Sequence, residues 1–442
     1  MNVFASALLS FPQARAQRLT LALLIVTLAS APLLRASPQS SPPAQPSAAA
    51  PTPLAALIDE ARRNDPKIRA AEDAARAAGY AAPQASALPD PTFTLQQFSV
   101  GSPRPFAGYA NSDFAYIGFG VSQELPYPGK RRLRASVADR EADAWAHRAE
   151  AVARDEIEAL REGYYRLAYL QQTLALIQRD DGVLQQVTQV AEARYRVGQG
   201  NQQDILKAQL QRTKLLYDIS MNRRSAGEAQ AELKRILRRP QDSPDIVAEA
   251  LTVTPLRLTP GELLARLEQQ NPDLGELAAM VKKSETQVDL ARREFRPDFG
   301  VSYMYQHTAG NFRDYYMFTF DVKFPRRKPR QAALAQAQIN VDRAKEERDA
   351  QMQEIEASMQ KQLVLLRTSE EQSQLYREGL IPQAQFSLQA GIAAYQVGRA
   401  DFGSLLSSLQ DTINLDLEYQ QTLLDHEMAV AQIERLTGGM LP

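Results

Sequence analysis

The sequence has no cysteine, which excludes disulfide bridges, thiolate metal sites, a catalytic thiol and a lipid-bearing N-terminal cysteine. Its three histidines, His147, His307 and His426, are too scattered to form a zinc-ligand motif. Neither sign of charge dominates, because 51 Lys and Arg face 52 Asp and Glu. No overall field attracts a polyanion, so we expect no nucleic-acid partner. The mean hydropathy of -0.38 excludes a multi-helix membrane protein.

Motifs of enzyme chemistry are also missing. No glycine-rich phosphate loop follows a strand, and no Gly-x-Ser-x-Gly motif occurs. His426 and Glu427 match half of a His-Glu-x-x-His zinc helix, but Val430 occupies the second histidine position. Met352 and Met359 lie seven residues apart and suggest soft copper(I) ligands, although this spacing is more typical of helix packing. We expect no enzyme activity, no cofactor and no metal site.

The N-terminal region has the pattern of an export signal. Two arginines precede an apolar run at residues 19–28, and small residues follow it. We predict a signal peptide over residues 1–36, cleaved between residues 29 and 36; a retained N-terminal anchor is the alternative. Residues 37–53 form a Pro/Ala/Ser tract that lacks the apolar side chains needed to offset ordering, which predicts a disordered spacer.

The two halves of the chain resemble each other. At an offset of 200 residues, three positions of one motif recur: Tyr195 and Tyr395, Val197 and Val397, Gly198 and Gly398. We predict an internal duplication, with a first repeat at 54–245 and a second at 246–442. Each repeat has the predicted order helix, two strands, very long helix, tight turn and returning helix.

Long helices dominate both predicted repeats. No proline occurs between Pro128 and Pro240, and this stretch is rich in Ala, Glu, Gln, Arg and Leu. Residues 129–197 alone would form a helix about 104 Å long. A shorter opening helix at 54–82 and a returning helix at 202–238, stacked end to end, match that length. An ordinary antiparallel coiled coil also explains these helices taken alone.

The second long helix is predicted at 330–397. Pro382 interrupts it, and Gly182 occupies the corresponding position of the first repeat. Both residues lie where a helix would bend, so we expect a kink or a change of supercoil there.

Alternating apolar residues predict two strand pairs. The earlier pair begins at Thr92, where alternation slips after Leu95. The residues that we predict to face lipid are Ile117, Phe119 and Val121 in the first repeat, and Phe299, Val301, Tyr303, Tyr305, Tyr316, Phe318, Phe320, Val322 and Phe324 around a turn near Asn311 in the second.

The strand pairs allow two interpretations. A small sheet packed on the helices is one; a membrane barrel is the other, because strands of about ten residues span a bilayer when tilted. A closed barrel needs at least about eight strands, so one chain with four cannot form it alone. Two copies would give a lumen filled by side chains, whereas three would give twelve strands and a wet conduit.

With these features the sequence resembles the TolC family of outer-membrane efflux factors. The resemblance rests on the two Tyr-x-x-Gly turns, the two strand pairs and the passage from each second strand into a long helix. QELPYPGKRR at 123–132 resembles the CzcC-type branch that serves cation-exporting pumps, whereas the second repeat has the degenerate KFPRRKPR at 323–330. The resemblance implies an α+β, mostly α fold, in which a homotrimer forms a 12-stranded outer-membrane β-barrel and a periplasmic α-barrel.

The family resemblance also implies partners and sites. A periplasmic adaptor and an inner-membrane pump would dock at the helical tips, although the tip residues also serve simply to close turns. The implied docking residues are Tyr195, Arg196, Val197, Gly198 and Gln199 in the first tip, and Tyr395, Val397, Gly398 and Arg399 in the second. Asp401 is a candidate for an acidic gate, or else a helix-start residue.

The sequence therefore predicts a passive exit channel of a tripartite efflux system, located in the outer membrane with a large periplasmic portion. Heavy-metal cations are the expected substrates. Drug or type I protein export is an alternative, and a periplasmic coiled-coil adaptor without a pore is a further one.

Overall fold

A computed structural model describes residues 51–101, 103–105, 107–108, 112–254, 256–308 and 313–439. The predicted signal peptide, the spacer up to residue 50 and the turn near Asn311 lie outside the described residues. At the start of the described chain, the Thr52 amide donates to the Val247 carbonyl over 2.8 Å. The Thr52 carbonyl accepts from the Tyr164 hydroxyl, also over 2.8 Å.

The described residues form ten α-helices and four strands. The first half contains α1 Leu54–Asn64, α2 Pro66–Gly79, α3 Ala81–Ser86, β1 Thr92–Phe98, β2 Tyr116–Leu125, α4 Lys130–Arg196 and α5 Gln202–Ile236. The second half contains α6 Pro260–Gln270, α7 Pro272–Arg293, β3 Asp298–Thr308, β4 Asp314–Lys323, α8 Arg327–Leu375, a π-helical turn Tyr376–Leu380, α9 Ile381–Gln396 and α10 Phe402–Thr437.

The long helix α4 has 67 residues, which corresponds to about 100 Å. Its bounds differ by one residue at each end from the predicted 129–197. Gly129 precedes it with a φ of 92°, a left-handed conformation that glycine adopts without steric strain. α4 packs against α5, α7 and α10, while α8 and α9 pack on α10. The helices therefore form one elongated body with α5 and α8/α9 at its lateral edges.

The opening segment is not the single helix predicted at 54–82, because it contains α1, α2 and the start of α3. Asp65 ends α1, and its carboxylate accepts the amide hydrogens of Lys67 and Ile68 over 2.6 and 3.3 Å. Pro66 then occupies the first position of α2, where its missing N–H costs no hydrogen bond. Asn271 and Pro272 separate α6 from α7 in the same manner. A capping side chain followed by proline was the overlooked signal.

Pro382 lies just after the π-helical turn Tyr376–Leu380. Proline has no N–H to donate, and a wider turn accommodates the lost bond without ending the helix. α4 shows no comparable break at Gly182, because this helix continues from Lys130 to Arg196. The two corresponding positions therefore differ in local helix geometry.

The four strands form one antiparallel sheet in the order β1-β2-β3-β4. The central pairing joins the two halves of the chain, with Phe119 opposite Tyr305 and Val121 opposite Tyr303. β1 pairs with β2 and places Leu95 opposite Phe119. β4 pairs with β3 and places Phe318 opposite Tyr303. Strand pairing stays regular past Leu95, with Gln97 opposite Ile117, so the slip in apolar alternation places a polar residue in the apolar row without shifting the register.

Three buried clusters hold the helices together, because each helix turns an apolar stripe toward its neighbours. The first, where α1 and the segment after α5 meet α4, includes Leu57, Leu160, Tyr164, Leu233 and Ile246. The second, toward the helical tips, includes Leu184, Ala208, Leu215, Leu405 and Leu409. The third, between α6, α8 and α10, includes Leu263, Leu267, Met359, Leu363 and Ile433. None of the described helices has an apolar stretch that would cross a bilayer.

Candidate functional site

Two tight turns end the helical body. In the first, Gly198 has a φ of 73° and donates its amide hydrogen to the Tyr195 carbonyl over 3.0 Å. Gln199 donates to the Arg194 carbonyl over 2.9 Å, which completes a glycine-based helix end. The second turn repeats this geometry around Gly398, whose φ is 77°. Both predicted Tyr-x-x-Gly motifs therefore form turns that require glycine.

The two turn tyrosines have different surroundings. Tyr395 is buried between the two tips; its hydroxyl donates to Asp204 over 3.4 Å and its ring lies edge-on to Phe402 at 5.5 Å. The Arg194 guanidinium stacks over the same ring and donates to the Tyr395 carbonyl. Burial, and secondly the Asp204 carboxylate, raise the pKa of Tyr395. Tyr195, by contrast, is 46% exposed.

The remaining tip residues form the exposed end of the body. Val197 and Val397 are 68% and 69% exposed, so each tip presents an apolar side chain at its surface. Arg196, Gln199 and Arg399 are also exposed. Apolar side chains flanked by guanidinium groups are suited to contact with a protein partner.

Asp401 lies directly after the second turn and caps α10. Its carboxylate accepts the Ser404 amide hydrogen over 3.0 Å and the Ser404 hydroxyl hydrogen over 2.9 Å. These bonds lower the pKa of Asp401, which keeps its side chain anionic. Asn201 caps α5 at the corresponding position by accepting from Gln203. The helix-start role of Asp401 is therefore satisfied within the chain.

The sheet has one apolar and one polar face. On the apolar face, cross-strand neighbours pair Phe299 with Val322, Val301 with Phe320, Tyr303 with Phe318 and Tyr305 with Tyr316, and Ile117, Phe119 and Val121 continue the row. Phe119, Phe318 and Phe320 are more than half exposed, and so is Phe324, just beyond β4. Phe93 and Leu95 belong to the same face, opposite Val121 and Phe119, and are additional to the predicted lipid-facing residues. Their two-residue spacing was the available signal.

The opposite face carries mainly small and polar residues, together with Met304 opposite Met317. β2 contributes Gly118, Gly120 and Ser122 there, and β4 contributes Thr319 and Asp321. Its aromatic residues, the stacked pair Phe98 and Tyr116 and the half-exposed Tyr315, lie at the end of the sheet where β1 leads to β2 and β3 to β4. The sheet therefore has an apolar surface on one side and a more hydrophilic surface on the other. This alternation is typical of strands whose two faces contact different environments.

A buried lysine fixes the junction between sheet and helices. The Lys130 ammonium, 1% exposed, donates to the Arg296 carbonyl and to both Asp298 oxygens over 2.9 to 3.0 Å. Glu294 lies 3.4 Å away. The amide of Tyr127 also donates to Asp298, over 2.8 Å. These contacts join the end of β2 to the start of β3, and periodicity in the sequence did not predict them.

The other candidate ligands belong to helix packing. His426 is fully buried, with Nδ1 3.1 Å from Glu427 Oε1 and Nε2 3.7 Å from Glu370 Oε1. Met359 is also fully buried, in the third cluster. Met352 is partly buried and packs against the same cluster. Among the described residues, no three His, Asp or Glu side chains are grouped to hold a metal ion.

Comparison with known proteins shows the family to which a chain with these helices, turns and strands belongs. A model of the outer membrane efflux protein family matches residues 57–237 and 263–439, so the chain belongs to this family. No curated protein matches the chain significantly.

Solved structures share the fold. CusC, described as forming a transmembrane channel, matches with a TM-score of 0.76 at 16% identity, over 87% of this chain and 92% of its own. VceC, an outer-membrane protein of Vibrio cholerae, gives 0.73 at 15% identity, over 88% and 97%. The open MtrE outer-membrane channel of Neisseria gonorrhoeae gives 0.73 at 16% identity, over 88% and 89%.

Proposed function

We propose that the chain is one subunit of a trimeric outer-membrane channel, the passive exit of a tripartite efflux system. The observation that carries this proposal is the four-stranded sheet with an exposed aromatic face and a polar opposite face. Such a surface in water would expose a large apolar patch, whereas in lipid it is satisfied. The polar face then lines a water-filled lumen.

The edges of the chain support closure by several copies. β1 and β4 are the outer strands of the sheet, and open strand edges are not tolerated in a bilayer. The lateral helices expose apolar residues as well: Leu206, Leu210 and Tyr217 on α5, and Leu375 and Phe386 on the α8/α9 side. Because the two edges differ, each copy contacts the next head to tail, which closes a ring. Three copies provide twelve strands and a wet lumen.

The two-repeat organisation is part of this proposal, with repeats at 54–245 and 246–442 after a cleaved signal peptide and a spacer. The family match supports it, because it falls in two segments of similar length, 57–237 and 263–439. Each segment ends with a returning helix, α5 or α10. Duplication explains why a single chain contributes two strand pairs and two tips.

The tips are the proposed contact with a periplasmic adaptor and, through it, with an inner-membrane pump. Exposed Val197 and Val397 offer apolar contacts, and Arg196 and Arg399 offer charge. In a trimer each Asp401 is tripled, so the three carboxylates form an anionic ring that favours cations. Energy for transport comes from the pump, and the channel conducts passively.

Heavy-metal cations are the proposed substrates, on the strength of the resemblance of residues 123–132 to the cation-exporting branch. A deletion strain tests this assignment when challenged with zinc, cobalt, cadmium, copper, silver and a panel of amphiphilic drugs. We expect loss of metal tolerance that the intact gene restores. Unchanged metal tolerance together with increased drug sensitivity would assign the channel to drug export instead.

Two measurements separate the channel from a coiled-coil adaptor without a pore. Membrane fractionation is expected to recover the protein with the outer membrane, and the purified protein is expected to conduct ions across a planar bilayer. A water-soluble monomer without conductance would overturn the proposal.

A further inference from the structure

The two helices that leave the sheet begin with an unusual charge pattern. α4 starts with Lys130, Arg131 and Arg132, and α8 starts with Arg327 and Lys328. Neither has an acidic residue in its first turn that would offset these charges. The amino end of a helix carries partial positive charge, so cations there oppose the helix dipole. Helix stability therefore does not explain this cluster.

The neighbouring carboxylates neutralise only some of these cations. Lys130 pairs with Asp298, and Arg134 and Arg330 each reach Glu294, at 3.0 and 3.5 Å. Five basic residues have no carboxylate at ion-pair distance within the part of the chain that the structure describes: Arg131, Arg132, Arg326, Arg327 and Lys328. The last three are exposed and lie in succession after the apolar end of β4.

An open groove lies beside the first group of cations. It has a volume of about 590 Å³ and is formed where β2 passes into α4 and where α3 approaches β1. Leu88, Leu125, Pro126 and Pro128 give it an apolar wall, and Arg131 and Arg132 lie at its polar side. Leu125 is paired with Phe299, so the groove continues the apolar face of the sheet. An apolar wall ending in guanidinium groups matches an amphiphile with an anionic head.

Ring closure brings the second group of cations to the same place. β4 ends and β1 begins at the same end of the sheet, because all its strands are antiparallel. When β4 of one copy pairs with β1 of the next, the segment after Lys323 lies beside the segment before Thr92. Leu88 of the groove belongs to the latter segment. Each subunit boundary then combines one groove with two basic clusters.

We propose that this boundary binds anionic phospholipids of the leaflet that faces the periplasm, with the phosphate held by Arg131 and Arg132 of one copy and by Arg326, Arg327 and Lys328 of the next. The acyl chains lie against the groove wall and the aromatic face. Basic side chains at the end of an apolar surface keep their charges in the headgroup layer while their stems stay in contact with lipid. This inference rests on the proposed trimeric channel and adds a lipid class that the fold itself does not specify.

Lipid retention by the purified full-length protein tests the inference. The protein is inserted into vesicles of phosphatidylcholine with an equal amount of phosphatidylglycerol, extracted, and analysed by native mass spectrometry for bound lipid. The test variant is Arg326→Gln/Arg327→Gln/Lys328→Gln. The matched control, Lys207→Gln/Lys214→Gln/Arg223→Gln, removes the same charge from exposed positions on α5. Arg132→Gln is a milder second variant.

We expect wild-type protein and the α5 control to retain phosphatidylglycerol in preference to phosphatidylcholine. The triple variant after β4 is expected to lose roughly tenfold or more of this preference, and Arg132→Gln a smaller share. Equal retention of the two lipids by wild type, or equal preference in both triple variants, would overturn the inference even when the protein conducts ions. Failure of wild-type protein to insert or conduct would overturn the proposed channel and this inference together.

Discussion

The guanidinium carbon of Arg194 lies 4.5 Å from the centroid of the Tyr395 ring, so a side chain of the first helical tip contacts the second tip directly. Arg194 also donates to the Gln199 carbonyl over 3.1 Å, which ties the same side chain to its own turn. Cation–π contacts of this kind contribute about 0.5–2 kcal/mol. Arg194 therefore connects the two tips of one chain.

Loss of this contact is expected to loosen the tips. Arg194→Gln removes the cation over Tyr395, and we expect a higher resting conductance in planar bilayers, because the tips that carry the proposed Asp401 ring are held less firmly. Arg196→Gln is the matched control, since Arg196 is exposed two residues further along. Equal conductance of the two variants would contradict the assigned role of Arg194.

Bulky residues at the turn glycines are expected to abolish export without preventing insertion. Gly198→Val and Gly398→Val force a β-branched residue to a positive φ, which costs on the order of 1–3 kcal/mol and displaces the exposed tip. The measurement compares export with the amount of protein in the outer-membrane fraction. Gly182→Ala is the control, because open space surrounds this helical glycine. Loss of insertion in the tip variants would indicate a purely structural turn.

A charge on the apolar face is expected to block membrane insertion, whereas the same charge on the polar face is not. Phe318→Arg places a guanidinium on the lipid side, at a cost of about 2–4 kcal/mol near the bilayer centre. Thr319→Arg, one residue along β4, places it on the opposite face and is expected to change conductance only. Recovery from the outer-membrane fraction separates the two. Equal recovery would contradict the assignment of the faces.

Removal of the buried lysine is expected to weaken the junction between sheet and helices. Lys130→Met leaves Asp298 without its ammonium partner, whereas Glu294 keeps Arg134 and Arg330, so we expect a destabilisation of about 2 kcal/mol. Thermal unfolding in detergent measures the effect. The double variant Lys130→Met/Asp298→Asn is expected to recover part of the loss, whereas exposed Arg140→Met is expected to change little. A wild-type melting temperature for Lys130→Met would contradict a stabilising role of Lys130 at this junction.

One glutamate is expected to make the stability of the helical body depend on pH. Burial raises the pKa of Glu158 from 4.5 to about 7, although Arg435 opposes the shift. Because protonation favours the folded state, this contribution to stability is complete below about pH 4.5 and is lost as pH rises through 7. Glu158→Gln is expected to stabilise the protein by about 1 kcal/mol at pH 8 relative to wild type. Identical melting curves at pH 5 and pH 8 for wild type and variant would contradict it.

The sequence by itself determined the elements whose causes are local. Helix-forming composition without proline defined α4 to within one residue at each end, and the two Tyr-x-x-Gly motifs predicted both turns. Alternation at a period of two defined the apolar faces of β2, β3 and β4, because neighbouring side chains on a strand point to opposite sides. The tips became candidate contact sites through the family resemblance, because the local motif by itself predicts only a turn.

Only the tertiary structure decided which of these elements meet. Tyr195 and Tyr395 have the same local motif, yet one is exposed and the other buried, because only the second tip has Arg194 and Asp204 of its neighbour beside it. The pairing of β2 with β3 and the contact of Lys130 with Asp298 likewise join residues more than 160 positions apart. Periodicity reports which side of an element is apolar, whereas its partner depends on how distant segments pack, and that information lies in no single stretch of the chain.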